Sequence, residues 1–575
     1  MQSRTTFDYR KTEAVSNRGM AAAMHPLAAE AGAEILERGG NAIDAAVAVG
    51  FAIGVVEPYN SGLGGIAVLV YHDAESGQSI AIDGTAPLPR KIHPGVFELL
   101  DDDERTGVYQ WRAVKDDANN TGHLSVAIPG MPACLCEAHA RFGRLPLGEV
   151  MAPAIRLAAD GFDIDWSVAY TIAIHSARLK RFPGTRETLF NSSGDPYAPS
   201  SFMNAADRVV QSWLAETLRR IAANGKDGFY RGETARLIAD DMRANGGLLD
   251  EEDLAAYDAR VFEQPLQGTY GEYQLVASPE TNGAPTTFEM LNIVEGYRPF
   301  EYGHNSVEAL HLIIEAQRRA FVDRFAYLGD PDFAPSPTAG VVSKEFAADR
   351  RQTIDIHRAT PDVLPGDPWK YQQKPEQPLL TKSGVAGGEG NTTHFTVVDD
   401  KRNMVSCVST LGYYFGSGIV TPGAGMVLNN GVMWFDPEEG SMVSVGPGKR
   451  IMTAGTPVIA LRRGKPFLTV GAPGGRRVIS GIFQVLLNTL EYGMGPAEAI
   501  GAPRVHSEGK KVEVDSRLPE RVIQGLADRG HDLIVREETP AQSSFSRPNG
   551  ILVDPDTGVL RGGVTPFGPA TAVGI

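Results

Sequence analysis

The chain has 575 residues, 42% of them hydrophobic, which is ample for a large core and suits about two to four domains or one oversized architecture. A net charge of −16 argues against nucleic acid as a main partner, because phosphate binding needs clustered Lys and Arg. The three cysteines, Cys134, Cys136 and Cys407, are odd in number and poorly spaced for a disulfide framework, so they read as buried reduced thiols.

The N-terminal stretch MQSRTTFDYRKTEAVSNRG has no apolar core of the kind a secretory signal carries, and a cytoplasmic protein is expected. Two helices follow. HPLAAEAGAEILERGG has apolar residues at three- and four-residue spacing and stops at Gly39-Gly40. NAIDAAVAVGFAIGVVEP opens with Asn41 as N-cap; its apolar run contains Asp44 and falls short of the ~20 residues that span a membrane, so it reads as a buried helix. GIAVLVYH and QSIAIDG flank DAESG as a β-hairpin. The acid run Asp101–Glu104 reads as a solvated loop. From about residue 130 to 350 the pattern is mostly helical, as in SWLAETLRRIAANG, TARLIADDMRANGG and SVEALHLIIEAQRRAFVDRFAYLG. Residues 360–391 are rich in Pro, Gly and Gln and read as an exposed linker, the kind of segment where chains are nicked.

Beyond the linker the character changes. HFTVVDD, NMVSCVST, MVLNN, TPVIALRRG and PFLTVGAPGG are short β-rich runs, RRVISGIFQVLLNTLEYG is helical, and the end returns to a hairpin around DPDTG. No internal repeat is visible. Helices in one block and antiparallel strands in another predict a layered α+β fold. His25, His304, His311 and His394 lack ligand spacing, so no metal is expected, nor any other cofactor; His394 reads as structural.

The junction GGEGNTTHFTVVDD poses a chemical question. A threonine hydroxyl is a poor nucleophile unless a base adjoins it, and its own α-amine, with a pKa of about 7.7–8.0, can serve. Thr392 would gain that amine only by breaking the Asn391–Thr392 bond, through attack of its hydroxyl on the Asn391 carbonyl and hydrolysis of the resulting ester. A second feature, TVGAPGGRRVIS, runs from a strand through Gly474-Gly475 into a helix, which suits an oxyanion hole. Each has a plain alternative, a β-branched strand start and a strand–turn–helix corner.

Over nearly its whole length the chain resembles the γ-glutamyltransferase superfamily of N-terminal nucleophile (Ntn) hydrolases. The resemblance rests on GMAAAMHPLAAEAGAEILERGGNAIDAAVAVGFAIGVVEP, RANGGLLDEEDLAAYDARV, FVDRFAYLGDPDF, NTTHFTVVDD, LNNGVMWFD, GPGKR and GAPGGRRV, in that order. It implies an αββα sandwich, two stacked antiparallel sheets flanked by helices, made as one autocleaved precursor: a large subunit 1–391 and a small one 392–575. It implies Thr392 as nucleophile with Thr393 beside it, Thr410 as the threonine that orients it, and Gly474 and Gly475 as the oxyanion pair. The implied partners are a small-molecule amide and the other subunit, and the arrangement allows a dimer of such pairs; neither nucleic acid nor membrane is implied.

The substrate-reading positions depart from the family. The arginine that holds a glutamate α-carboxylate is absent from AIDGTAPLPR, and the spacing of Arg90 does not replace it. An Asn becomes Gly412, the Gln/Glu and Asp that hold the amino group become Gly431 and Trp434, and paired serines become Thr453 and Ala454; the segment Asp436–Val445 is shorter than the usual lid. A pocket without those charged contacts has little means of choosing γ-glutamate. Tyr413, Tyr414 and Trp434 make the region aromatic. Three functions are thus open: the γ-glutamyl or glutathione hydrolase or transferase of the family label, a hydrolase of another acyl amide (oxamate-like or cephalosporin-acylase-like), and an unprocessed relative that only binds.

Overall fold

The computed structural model describes residues 9–101, 104–106, 109–279, 282–373 and 390–575. Most of the N-terminal stretch before Tyr9, the centre of the Asp101–Glu104 acid run, and residues 374–389 of the expected linker lie outside the described residues. The described part of that linker, 360–373, is largely exposed but anchored. Pro368 and Trp369 are buried, and Gly366 N–H donates to Asp323 Oδ1 at 2.6 Å.

Two seven-stranded sheets form the centre. One runs Ala14–Ser16, Leu560–Val564, Asn549–Val553, Lys465–Gly471, Val458–Arg462, Tyr273–Ala277, Leu266–Tyr270. The other runs Thr571–Gly574, Met20–Ala23, Asn391–Val398, Met404–Gly412, Ile66–His72, Ser79–Gly84, Arg260–Phe262. Neighbouring strands are antiparallel throughout both. Each sheet contains strands from both before and after residue 392, interleaved in short runs.

The sheets stack through buried polar stitches. Thr396 Oγ1 and Thr469 Oγ1 lie 2.7 Å apart, and Ser406 Oγ donates to Val470 O at 3.1 Å. His394 bridges Asn549 Oδ1 and Ser406 Oγ at 2.9 Å each. A Cβ at Gly471 would lie 2.3 Å from the His394 ring, so glycine is what lets the sheets close there.

Helices cover both outer faces, completing the expected sandwich. Pro26–Glu37 and Ala42–Val56 share a core with the second sheet. Small side chains permit the approach: a Cβ on Gly32 would sit 2.5 Å from Val49 Cγ2 and 2.9 Å from Ala21 Cβ. Asn41 caps the second helix in a capping box with Asp44, whose carboxylate also accepts from Arg144 N and Leu145 N, so the charge inside this apolar helix is satisfied. Ala284–Glu295, Val307–Tyr327 and Arg477–Leu490 pack on the first sheet around a separate core.

The hairpins at 66–84 and 549–564 form as expected. Within the block read as mostly helical, the hairpin Leu266–Tyr270 with Tyr273–Ala277 is an addition, turning at Gly271 with φ +54. MVLNN, read as a strand, makes only isolated bridges and leads into a 3₁₀ turn at Gly431–Trp434. All three cysteines are free and buried, and among the described residues no helix is long and apolar enough to cross a membrane.

Candidate active site

The strand that begins at Asn391 lies inside the second sheet, paired with Met20–Ala23 on one side and Met404–Gly412 on the other. The register pairs Asn391 with Gly412 but Thr393 with Ser409, so two residues, Thr410 and Leu411, stand opposite Thr392. Such a bulge re-aims side chains. Here it turns the Thr410 hydroxyl onto the carbonyl of the expected scissile bond, with Oγ1 donating to Asn391 O at 2.5 Å. The same oxygen accepts from Gly412 N–H at 2.9 Å, which fixes its proton toward Asn391. Asn391 is held at its other end as well, where Nδ2 donates to Tyr59 O at 2.9 Å.

Thr392, 9% exposed, lines a cleft with about 90 Å³ of free volume, together with Asn391 and Gly474. The glycine pair joins strand Lys465–Gly471 to helix Arg477–Leu490, with φ of +135 at Gly474 and +57 at Gly475. A Cβ on Gly474 would lie 2.8 Å from Ser546 Cα. A Cβ on Gly390 would lie 2.8 Å from Gly475 Cα, so the segment before Thr392 runs against the glycine pair. Gly390 thus lies against Gly475, while Gly474 faces the cleft.

The cleft walls are mixed. Trp166, Tyr170 and Ile174 of helix Trp166–Leu179 form an exposed apolar rim, and Tyr414 and Phe545 lie deeper. Arg477, ion-paired with Glu513 at 3.0 Å, and Arg547, which donates to Thr539 O at 3.2 Å and Pro540 O at 3.3 Å, bring two guanidinium groups. Glu57, from the C-terminal cap of helix Ala42–Val56, brings a carboxyl.

Gly412, Gly431, Trp434 and Thr453, the expected substrate contacts, do not line this cleft. Trp434 packs on Gly412: a Cβ there would sit 3.1 Å from the indole and 2.2 Å from Asn430 Oδ1. The indole thus occupies the space a side chain at position 412 would need. Gly431 packs against Ala127, and the Thr453 carbonyl accepts from the buried Arg324 Nη2 at 2.7 Å. Arg90 points away, to Asp253 at 2.8 Å and Glu252 at 2.7 Å. Tyr413 and Asn430 line a separate cavity of about 700 Å³ beside Arg178. His394 is fully buried between the sheets, and burial holds its pKa down to about 3, so it stays a neutral structural ring.

Sequence reasoning missed Glu57, Arg477 and Arg547. The only signal for Glu57 was a carboxylate closing a helix that is apolar throughout. Arg477 follows the glycine pair directly, and nothing local marks Arg547.

Comparison with known proteins agrees with this architecture. The family model described as Gamma-glutamyltranspeptidase matches residues 28–574. The Acylase ACY 1 proenzyme of Pseudomonas sp. (strain SE83) is 38% identical, covering 97% of this chain and 93% of its own length. The Glutathione hydrolase proenzyme of Bacillus subtilis (strain 168) is 32% identical, covering 99% and 94%. Among solved structures, cephalosporin acylase from Bacillus halodurans superposes with a TM-score of 0.85 at 29% identity, over 100% of this chain and 99% of that one. The chain belongs to the gamma-glutamyltranspeptidase family, and it is an Ntn-type enzyme of amide hydrolysis or acyl transfer.

Proposed function

We propose that the chain is an autoprocessed N-terminal-threonine amidohydrolase that prefers an acyl group other than γ-glutamyl. In processing, the Thr392 hydroxyl attacks the Asn391 carbonyl while the Thr410 hydroxyl polarises that carbonyl. The C–N bond breaks, leaving an ester that water hydrolyses. The freed α-amine of Thr392 then takes the proton of its own hydroxyl during turnover. Departure of the segment ending at Asn391 uncovers Gly475, and the backbone of Gly474 and Gly475 would receive the substrate oxyanion. The products of processing are a large subunit ending at Asn391 and a small one beginning at Thr392.

The observation that carries the altered specificity is that Gly412, Gly431, Trp434 and Thr453, where the resemblance places the amino acid contacts, lie outside the cleft that holds Thr392. Arg90 is committed to Asp253 and Glu252, and the two arginines of the cleft are engaged by Glu513 and by the Thr539 and Pro540 carbonyls, so the fork that would hold an amino acid carboxylate is not reproduced at its expected place. The cephalosporin acylase and Acylase ACY 1 likenesses support an acylase-like amide on the same grounds.

Two measurements test this. A denaturing gel with N-terminal sequencing should give a fragment beginning Thr-Thr-His-Phe; one intact band after long incubation favours a binding protein. A panel of p-nitroanilides, oxamate and an acyl-cephalosporin on processed enzyme should show glutaryl or another simple acyl group turned over at least about tenfold faster than γ-glutamyl, a difference near 1.4 kcal/mol. Equal or faster γ-glutamyl turnover refutes the altered specificity.

A further inference from the structure

The turn that follows helix Ala42–Val56 is stitched to both strands around the expected scissile bond. Tyr59 O accepts from Asn391 Nδ2 at 2.9 Å and from Phe415 N–H at 2.9 Å, and Asn60 O accepts from Leu411 N–H at 3.0 Å. At the head of this turn Glu57 is 1% exposed. Its Oε1 accepts from Asn60 Nδ2 at 2.5 Å, whereas its buried Oε2 has no hydrogen-bond partner. The buried Thr393 hydroxyl interacts with this carboxyl, and Glu57 lines the same cleft as Thr392.

A buried carboxyl oxygen left unused carries a desolvation cost, whereas the buried Asp44 is satisfied by three backbone amides, one of them within its capping box. The reaction has a matching need. Before cleavage Thr392 has no free amine, so the base that serves turnover does not yet exist.

We propose that Glu57 is the proton-holding residue of the self-cleavage step, taking the proton that the Thr392 hydroxyl gives up and returning it to the departing nitrogen. This rests on the reading of Thr392 as nucleophile. The Thr392 Oγ–Asn391 C bond forms as the hydroxyl proton passes to the Glu57 carboxylate. The Asn391 C–Thr392 N bond then breaks as the proton returns to nitrogen, giving ester and amine. Water hydrolyses the ester, restoring the Thr392 hydroxyl and leaving Asn391 as a free acid. Glu57 makes no hydrogen bond to Thr392 in the uncut chain. It acts across the cleft it shares with Thr392, as acceptor and then donor of that proton.

The surroundings suit the role. Burial pushes the Glu57 carboxyl up to about 7, and the like charge of Asp165 adds to this; the polar side chains of Thr393, Asn60 and Tyr59 around it draw it back. Asp165, at the start of helix Trp166–Leu179, is bridged by His25 at 2.9 Å, and Arg547 from the C-terminal region acts on the adjoining Tyr59. A base poised near neutrality is the one most effective at neutral pH.

The test follows cleavage of freshly made, uncut full-length chain on denaturing gels from pH 5 to 9, for wild type, Glu57→Gln, Glu57→Asp and Thr392→Ala. Wild-type rate should climb about tenfold per pH unit below the carboxyl's midpoint and level off above it. Glu57→Gln should be slower by about 100-fold or more at pH 7.5 and lose the inflection, while keeping a cooperative thermal transition. Glu57→Asp should recover part of the rate with a shifted inflection. Overturning results are a Glu57→Gln chain that cleaves with wild-type rate and profile, or a wild-type profile flat from pH 5 to 8; the latter decides the matter even if the glutamine variant does not fold. Cleavage of Thr392→Ala at the same bond would sink the Thr392 reading instead.

Discussion

Replacing Thr410 by valine removes one hydroxyl and almost no volume. That hydroxyl has two tasks, donating to Asn391 O at 2.5 Å and accepting from Gly412 N–H at 2.9 Å. The first concerns rate. Loss of one preorganised donor from a carbonyl that becomes an oxyanion costs roughly 10²–10³-fold, about 3–4 kcal/mol of barrier. The second concerns stability. A buried Gly412 N–H left without its acceptor costs about 1–3 kcal/mol, small enough to leave the sandwich folded. Thr410→Val should therefore accumulate as a folded, uncut chain, whereas Thr410→Ser, which keeps the hydroxyl, should cleave within about tenfold of wild type. The assay is the time course of fragment appearance after a short pulse of synthesis, with a thermal melt on the same samples. A valine variant that splits with the wild-type half-time would refute the assignment of Thr410 to the scissile carbonyl.

Three further outcomes follow from the geometry. Gly474→Ala puts a Cβ 2.8 Å from Ser546 Cα at a φ of +135, so processed enzyme should lose amide turnover by about 10²-fold or more, read against active-site titration. His394 is held to about 3, below its unfolded value of 6.5, so the stability it contributes is complete above that value and is lost as pH falls toward 3. Urea melts of wild type against His394→Gln between pH 4 and 7 should show a shallower acid loss in the variant. Arg90→Ala breaks ion pairs with Asp250, Glu252 and the buried Asp253, all outside the Thr392 cleft, and amide kcat/KM should stay within about twofold.

Much of this architecture was legible from local patterns. Asn41 before an apolar run announces an N-cap, which the structure completes as a capping box with Asp44, and apolar runs around DAESG and DPDTG announce hairpins. These signals act within a few residues. What escaped depends on partners far along the chain. The strands at 266–277 are only partly buried, so their alternation is blurred and they read as a break between helices. MVLNN looks like a strand but bends away because Asn429 and Asn430 bond to Gly64, Ala127 and Asn120 rather than to a strand partner. The nucleophile candidate and the glycine pair could be named from motifs, yet the bulge that aims Thr410 and the ring that fills the place beside Gly412 are properties of register and packing. Glu57 was hidden for a similar reason: a carboxylate after an apolar helix usually faces solvent, and only the three-dimensional turn encloses it.

The interleaving of strands from either side of residue 392 has a consequence if the chain is cut there as proposed. Met20–Ala23 lies between Thr571–Gly574 and Asn391–Val398, and in the other sheet the four strands from beyond residue 392 are flanked by Ala14–Ser16 on one side and Tyr273–Ala277 on the other. Once the backbone is severed, neither piece can leave without tearing both sheets, so the heterodimer is locked by weaving rather than by affinity. The same weave makes its assembly a one-time event. A melted precursor can retrace a unimolecular path, but two melted pieces must find each other and re-thread every row, so heat damage to the matured form should become irreversible and worsen on dilution.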